Sequence, residues 1–161
     1  MARREQGTPA TVALSRAGIA FTTHSYDHDP RGESFGLEAA AALGLSPSEV
    51  FKTLLAKVDG TAVVAVVPVA GTLDLKALAA AAGGRRAEMC DPATAQRLTG
   101  YVIGGISPIG QKRALATYVD ESVLALERVY VSGGRRGLDI GLSPADLLAA
   151  TAAACAPIGR G

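Results

Sequence analysis

The feature that most constrains the fold is a pair of apolar, β-branched segments separated only by Asp59-Gly60. Residues 51–58 and 61–67 each have the length of a strand. An Asp-Gly pair favours a type I′ turn, because both central residues of that turn need a positive φ. The pattern therefore predicts a β-hairpin near the middle of the chain.

Helix starts are marked by a capping residue followed directly by proline, as at Thr8-Pro9, Asp91-Pro92 and Ser143-Pro144. These pairs predict helices that end at about Gly18, Gly100 and Ala154. A capping box at Ser46 predicts a short helical turn. Alanine-rich segments predict two further helices, at residues 36–43 and 72–82.

The remaining predicted strands lie at residues 19–25, 85–89, 101–103, 115–119, 128–132 and 138–142. Between them we expect a loop at residues 27–36, a turn or short helix at 120–124, a tight turn at 133–137 and a frayed tail at 157–161. Helices thus alternate with antiparallel hairpins. This order predicts an α+β fold with one mixed or antiparallel sheet, in a single domain covering residues 1–161.

Composition excludes some nucleic-acid binders. Sixteen basic and fifteen acidic residues give a net charge of +1, so binding does not come from an overwhelming positive field. Aromatic residues make up 4% of the chain and tryptophan is absent, which argues against a surface that stacks many bases.

The cysteines and the apolar runs indicate the cellular setting. Cys90 and Cys155 are too few and too far apart for a metal site of the CxxC type or a disulfide framework, so we expect reduced thiols. The first residues contain no apolar signal segment, and the longest apolar run, residues 62–70, is too short to cross a bilayer. We expect a cytoplasmic protein without a membrane partner.

A glycine-rich segment, Tyr101-Val-Ile-Gly-Gly-Ile-Ser-Pro-Ile-Gly110, precedes two cations, Lys112 and Arg113. Glycine lets a ligand approach the main chain, and backbone N–H groups in such a loop suit an anionic or polar ligand. The alternative is a structural turn with a solvated basic exit.

Lys52 has an unusual position in the first strand of the hairpin. In an extended segment it shares a face with Val50, Leu54, Ala56 and Val58, whereas Lys57 falls on the opposite face beside the turn. A lysine on an apolar face needs a ligand or partner, or else its ammonium reaches the strand edge. The spacing leaves both possibilities open.

Three segments in order carry a family resemblance: Val50-Phe-Lys-Thr-Leu54, the Gly-Gly-Ile-Ser-Pro segment, and Val131-Ser-Gly-Gly-Arg-Arg-Gly-Leu-Asp-Ile140. Together they resemble the YbaK/EbsC family of Cys-tRNA(Pro) deacylases, relatives of the editing domain inserted in bacterial prolyl-tRNA synthetases. The resemblance covers residues 24–148. It implies a barrel-like, mostly antiparallel mixed sheet wrapped by helices, and hydrolysis of a mischarged aminoacyl-tRNA.

The resemblance also implies the site. Its catalytic group consists of Lys52, Gly105, Ser132 and Asp139. The substrate-binding group consists of Tyr26, Phe35, Thr53, Gly104, Ile106 and Ser107. Lys52 would hold the phosphate–ribose end of the substrate, and main-chain amides of residues 104–107 would hold the aminoacyl carbonyl and the terminal adenosine.

The residues themselves leave other roles open. Ser132 can simply cap the turn, Asp139 can pair with Arg135 or Arg136, and Tyr26 and Phe35 can belong to the core. Tyr101 is expected to be structural. The cations at residues 112, 113, 135 and 136 either meet tRNA phosphates or form a solvated face.

Other chemistries have little support. His24 and His28 stand without an acidic or cysteine cluster, so we expect no metal, and we expect no cofactor. There is no GxSxG elbow, and Cys90 has no supporting histidine motif. The resemblance implies hydrolysis assisted by the substrate's own groups, without a covalent enzyme intermediate.

The chain departs from the family pattern at a few positions. Arg113-Ala114 and Ala116 replace the lysine and proline residues common after Gly-Gln-Lys, and Phe35 stands where many members have tyrosine. These changes concern tRNA contacts and pocket polarity rather than the reaction class.

We therefore expect a trans-editing deacylase for Cys-tRNA(Pro), with Cys-tRNA(Cys) as a second candidate substrate. Its partners would be aminoacyl-tRNA and, as a candidate, prolyl-tRNA synthetase, but not DNA. The alternatives are an Ala-tRNA(Pro) deacylase, a non-catalytic module that binds a nucleotide or tRNA end, and a thiol-dependent hydrolase using Cys90.

Overall fold

The computed structural model describes residues 7–28 and 35–161. Most of the loop predicted at residues 27–36, and the N-terminal residues examined for a signal segment, lie outside the described residues. Within the described ranges, the helices are α1 (Pro9–Arg16), α2 (Phe35–Leu43), α3 (Leu75–Ala81), α4 (Pro92–Thr99) and α5 (Pro144–Thr151).

The strands in the same ranges are β1 (Thr22–Ser25), β2 (Phe51–Val58), β3 (Thr61–Pro68), β4 (Thr72–Leu73), β5 (Ala87–Met89), β6 (Thr117–Asp120), β7 (Val129–Arg135), β8 (Leu138–Leu142), β9 (Ala154–Ala156) and β10 (Gly159–Arg160). A 3₁₀ turn, Glu121–Ala125, follows β6, where a turn or short helix is predicted.

The strands form two main sheets that are joined at one point. One sheet has the order β1-β8-β7 and is antiparallel. The other has the order β5-β2-β3-β6-β9, in which β6 runs parallel to both neighbours. A bridge between Val50 and Tyr130 connects β7 to the start of β2. The predicted α+β fold with a mixed, mostly antiparallel sheet is confirmed.

The predicted hairpin is also confirmed. Strands β2 and β3 pair over their full length, from Phe51 opposite Pro68 to Val58 opposite Thr61. The turn residues Asp59 and Gly60 have φ angles of 50° and 86°, as a type I′ turn requires. The Asp59 carboxylate accepts hydrogen bonds from two backbone amides of the segment before β5, which ties the turn to that edge strand.

The hairpin is buried on both faces. One face of β2 and β3, including Leu55 and Val64, packs against α1, α5 and the 3₁₀ turn. The opposite face, including Ala56 and Ala65, packs against α3. Because small aliphatic side chains fill both layers, the low aromatic content still gives a closed core.

The three cap-plus-proline pairs each begin a helix as predicted. The side chains of Thr8, Asp91 and Ser143 each accept a hydrogen bond from the backbone amide three residues later. The helix predicted at residues 72–82 begins later, because Asp74 caps it and β4 precedes it. The last helix ends at Thr151, since Ala152 adopts a left-handed conformation and β9 follows.

Two predictions about irregular segments are wrong. Residues 101–103 do not form a strand; Tyr101 is buried in the core, and its hydroxyl donates to the carbonyl of Ile109 across the loop. The tail at 157–161 is not frayed, because β10 pairs with β4 and Ile158 is fully buried. The first error arises because a side-chain hydrogen bond holds Tyr101 in the loop. The second arises because the tail pairs with a strand that is distant in the sequence.

Several predicted boundaries also shift. Strand β1 begins at Thr22 rather than at residue 19, β5 covers three residues, and β6 begins at Thr117. The tight turn predicted at residues 133–137 is shorter, because β7 continues to Arg135 through a bulge after Ser132.

Candidate functional site

A cavity of about 330 Å³ opens between the start of β2, helix α2, the glycine-rich loop and the β7–β8 hairpin. Eight of the ten predicted site residues line it: Tyr26, Phe35, Lys52, Thr53, Gly104, Ile106, Ser132 and Asp139. Its volume is within the usual range for small-ligand sites. Residues distant in the sequence are thus brought together at one concave surface.

Lys52 enters this cavity from the second position of β2. Its side chain lies on the strand face that carries Leu54, Ala56 and Val58, as its spacing predicts. The Nζ atom donates a hydrogen bond to the carbonyl of Gly71 at 3.0 Å. Since an ammonium has three donors, this bond orients Lys52 and leaves two N–H groups for a ligand.

The hydroxyl of Thr53 stands out among the polar groups. Across the described residues, its Oγ1 is the buried side-chain nitrogen or oxygen atom that has no hydrogen-bond partner. Leaving a buried hydroxyl unpaired costs about 1–3 kcal/mol. Thr53 also lines the cavity, so this hydroxyl is a polar group beside the cavity whose hydrogen-bonding capacity the described residues leave unused.

Asp139 and Ser132 face each other across the β7–β8 ladder. Asp139 is only 4% exposed, and burial raises the pKa of its carboxyl group to about 7. The ion pairs found in the described residues, His28–Glu38 and Arg160–Asp74, do not include it. Asp139 therefore does not form the predicted alternative pair with either neighbouring arginine.

Ser132 shows part of its expected capping role. Its Oγ accepts a hydrogen bond from the Gly134 amide at 3.2 Å, which stabilises the bulge in β7. Ser132 also lines the cavity, so the two roles that the sequence leaves open are compatible.

Tyr26 lies between the cavity and the β7–β8 turn. Its backbone amide donates to the Gly137 carbonyl at 2.9 Å. Burial, together with the nearby Asp139 carboxylate, raises the pKa of the Tyr26 hydroxyl to about 12. The hydroxyl therefore remains protonated near neutral pH and can donate a hydrogen bond.

The glycine-rich loop contributes its backbone to the cavity wall. Gly104 has a φ of 87°, and a Cβ there would come within 2.7 Å of the Phe35 ring. Gly104 and Ile106 line the cavity. Within the described residues, no backbone hydrogen bond engages the amides of Gly104 and Ile106, so both amides are available as donors.

Two predicted residues of the loop do not line the cavity. The Gly105 amide donates to the Val102 carbonyl at 2.8 Å, and a Cβ at Gly105 would collide with the backbone of Arg135 and Arg136. Ser107 is fully buried, and its Oγ accepts a hydrogen bond from the Ile109 amide. Both residues shape the loop, and a direct role for either in binding stays a prediction.

Comparison with known proteins agrees with this geometry. The family described as "Aminoacyl-tRNA editing domain" matches residues 34–150. The chain is 41% identical over 113 residues to EbsC of Enterococcus faecalis, a proposed Cys-tRNA(Pro)/Cys-tRNA(Cys) deacylase, covering 70% of this chain and 69% of EbsC. The chain belongs to the aminoacyl-tRNA editing domain family. The predicted family resemblance is confirmed.

Solved structures share the fold of this editing domain. One, a proposed trans-editing enzyme for prolyl-tRNA synthetase, superposes with a TM-score of 0.81 at 28% identity, covering 95% of this chain and 96% of that one. Another, the hypothetical protein APE2540, has a TM-score of 0.85 at 27% identity, covering 95% of this chain and all of that one.

The editing domain surrounds its polar groups with apolar residues that sequence reasoning did not assign to the site. These are Gly36, Ala39, Val50, Phe51, Leu54 and Ile103. Most of them flank predicted residues directly in the chain. Their proximity to Lys52, Phe35 or Gly104 is the signal that identifies them, because neighbours in a strand or loop commonly border the same cavity.

Phe35 lines the cavity of the editing domain, and its ring contacts two other side chains. The ring of His28 lies 5.3 Å from it at an interplanar angle of 28°, and the Arg136 guanidinium carbon is 5.2 Å from its centroid. The Nδ1 atom of His28 also contacts the Glu38 carboxylate at 2.8 Å.

Metal and thiol chemistry receive no support from the described residues. In residues 7–28 and 35–161, no group of three or more His, Cys, Asp or Glu side chains is arranged to hold a metal ion. Cys90 does not line the cavity, and burial raises the pKa of its thiol, which disfavours the reactive thiolate.

None of the helices in the described part of the editing domain has the length and apolar character needed to cross a bilayer.

Proposed function

We propose that this editing domain hydrolyses the ester bond of a mischarged aminoacyl-tRNA, with Cys-tRNA(Pro) as the main substrate and Cys-tRNA(Cys) as a second one. The observation that carries the proposal is the cavity in which the Lys52 ammonium, the unpaired Thr53 hydroxyl and the buried Asp139 carboxyl group converge. The names of EbsC and of the proposed trans-editing enzyme support the same reaction class.

The need for such an activity follows from the size of the amino acids. Cysteine and proline have side chains of similar size, and differences in pocket contacts discriminate between such substrates by only about 1–3 kcal/mol. A separate site that hydrolyses the wrong ester corrects the remaining errors. The half-apolar cavity has room for a small side chain beside its polar groups.

In this proposal each polar group has a distinct role. The Asp139 carboxylate attracts the α-ammonium group of the aminoacyl ester, and Thr53 supplies a hydrogen bond that the protein itself leaves unused. Lys52, oriented by Gly71, holds the ribose end of the substrate. The amides of Gly104 and Ile106 lie on the cavity wall, where they would stabilise the oxyanion formed during ester attack.

No covalent intermediate is needed. Ser132 Oγ accepts from a backbone amide, and neither described histidine forms a hydrogen bond with it. An activated serine needs a base in hydrogen-bond contact. We therefore propose that water, or a group of the substrate itself such as its thiol or a tRNA hydroxyl, attacks the ester.

The proposed setting is a single domain, residues 1–161, acting in the cytoplasm on aminoacyl-tRNA. Prolyl-tRNA synthetase is a candidate partner, because it produces the mischarged tRNA and because a related structure is named for it. Ala-tRNA(Pro) is an alternative substrate, since alanine is smaller than cysteine and fits a cavity of this volume.

The test compares hydrolysis of Cys-tRNA(Pro), Cys-tRNA(Cys), Ala-tRNA(Pro) and Pro-tRNA(Pro) by the parent protein and by Lys52→Ala. We expect fast loss of cysteine, slow loss of proline, and a decrease of about 100-fold or more in the variant. Lys57→Ala, on the opposite strand face, is the matched control and retains the parent rate. Preference for alanine would change the substrate; binding of tRNA without hydrolysis of any ester would indicate a non-catalytic module.

A further inference from the structure

Arg136 is held at the rim of the cavity by two residues that line it. Its Nε atom donates a hydrogen bond to the Ile103 carbonyl at 2.8 Å. Its guanidinium group lies over the Phe35 ring at 5.2 Å, within the range of a cation–π interaction. These two contacts fix an otherwise flexible side chain beside the entrance.

The terminal nitrogens of Arg136 remain available. The residue is exposed, and within residues 7–28 and 35–161 no hydrogen bond or ion pair engages its two Nη atoms. The carboxylate of Glu38, on helix α2, instead contacts His28 on the stack that includes Phe35. A guanidinium group presents its Nη donors as a planar fork that matches two oxygens of a phosphate.

We propose that Arg136 binds the phosphodiester that joins the terminal adenosine of the tRNA to the preceding nucleotide. The inference rests on the proposed function, because it assumes that the aminoacyl ester enters the cavity. The ester and the phosphodiester lie on opposite sides of the terminal ribose. When the ester reaches Thr53 and Asp139 inside, the phosphodiester is left at the rim, where Arg136 is held.

The fixed position of Arg136 matters for the strength of this contact. An exposed ion pair is usually weak, because ordering two mobile side chains offsets the attraction. Here the hydrogen bond to Ile103 and the contact with Phe35 order the guanidinium group before the ligand arrives. The neighbouring Arg135 has the same charge and is also exposed, but no such contacts of its side chain are found in the described residues. It is therefore a matched control.

The test measures binding rather than hydrolysis. The probes are two amide-linked, non-hydrolysable analogues, 3′-cysteinylamino-3′-deoxyadenosine with a free 5′-hydroxyl and the same compound with a 5′-methyl phosphate. We expect the parent to bind the phosphate-bearing analogue about 5- to 10-fold more tightly, with an advantage that shrinks as salt is raised. Arg136→Gln removes this advantage, whereas Arg135→Gln retains it.

Other outcomes would overturn the proposal. An equal loss of affinity for both analogues in Arg136→Gln would show that the residue only supports the loop. An advantage that persists in Arg136→Gln but disappears in Lys52→Ala would place the phosphate on Lys52. Because neither analogue is hydrolysed, binding of both by a protein that lacks deacylase activity would separate a failure of the proposed function from a failure of this inference.

Discussion

Asp139 and Asp120 are both buried aspartates, with 4% and 7% of their surface exposed. Their surroundings nevertheless shift the pKa values of the two carboxyl groups in opposite directions. The Asp120 carboxylate accepts hydrogen bonds from the amides of Ser122, Ile158 and Gly159, and from the Ser122 hydroxyl. Burial by itself would raise the pKa of Asp120, but these hydrogen bonds outweigh it and hold the pKa below its usual value. Burial raises the pKa of Asp139 to about 7.

This difference separates a carboxylate that the fold itself uses from one that we propose is available to a ligand. The Asp120 carboxylate holds the C-terminal tail beside β6 through hydrogen bonds to the backbone, and its oxygens already accept several hydrogen bonds within the fold. Asp139 lines the cavity, and burial without a hydrogen bond to its carboxyl group among the described residues opposes its ionisation. Groups with raised pKa values in a cavity are typical of functional sites.

The largest expected effect is the pH dependence of stability that comes from Asp139. Because its folded pKa lies above that of the unfolded chain, its contribution is fully present below pH 4 and is lost as pH rises through about 7. The loss amounts to at most about 4 kcal/mol. Chemical denaturation at several pH values should show this decline in the parent and not in Asp139→Asn.

The ionisation of Asp120 makes stability depend on pH in the opposite direction. Its folded pKa lies below the unfolded value, so its stabilisation is present above that unfolded value and is lost as pH falls through the folded one. If Asp139→Asn leaves the decline between pH 4 and pH 7 unchanged, the contrast between the two aspartates is wrong.

Removing the charge of Asp120 should have a somewhat smaller effect. Asp120→Asn replaces one carboxylate oxygen by an NH₂ group that cannot accept from the backbone amides. We expect the free energy of unfolding at pH 7 to fall by about 2–4 kcal/mol. Glu127→Gln, an exposed acidic residue in the loop after the 3₁₀ turn, is the control and should change it by less than about 0.5 kcal/mol. Equal stability of both variants would contradict a structural role for Asp120.

Two threonines provide the same comparison between a hydrogen-bonded and an unpaired polar group, with smaller expected effects on stability. The buried Thr99 hydroxyl donates to the Ala95 carbonyl and accepts from the Tyr101 amide, so Thr99→Val should cost about 1–2 kcal/mol of stability. The unpaired Thr53 hydroxyl gives a different result: Thr53→Val should leave stability unchanged or raise it slightly. Its affinity for the amide-linked cysteinyl analogue should fall about 5-fold. A destabilised Thr53→Val with unchanged affinity would show that this hydroxyl serves the fold.

The sequence predicts those parts of the molecule that depend on local rules. The Asp59-Gly60 turn and the cap-plus-proline helix starts each require only a few neighbouring residues, and all are found in the structure. The pairing of β10 with β4 could not be predicted from local rules. The tail that contains β10 is held by Asp120, which lies nearly forty residues away in the sequence. Residues 101–103 mislead because their apolar run belongs to a loop in which Tyr101 is buried and bonded to the Ile109 carbonyl, whereas Val102 is 51% exposed.

The candidate site also has features that follow from the sequence and features that depend on the three-dimensional structure. The face on which Lys52 lies follows from the period of a strand, and the family motifs identify eight residues that meet at the cavity. The sequence does not reveal which of their polar atoms remain unpaired. That Asp139 avoids both arginines, and that Arg136 instead contacts Ile103 and Phe35, depends on the geometry of the β7–β8 turn and of the glycine-rich loop.

The most direct test of this account is the pH profile of kcat/KM for hydrolysis of Cys-tRNA(Pro), corrected for spontaneous hydrolysis, in the parent and in Asp139→Asn. Such a profile reports the ionisation of groups in the free protein and free substrate. We predict that activity of the parent rises as pH passes through about 7, where the Asp139 carboxyl group loses its proton, and that the variant is slower and lacks this rise. A parent that releases no cysteine at any pH, or a variant with the rate and profile of the parent, would contradict the account.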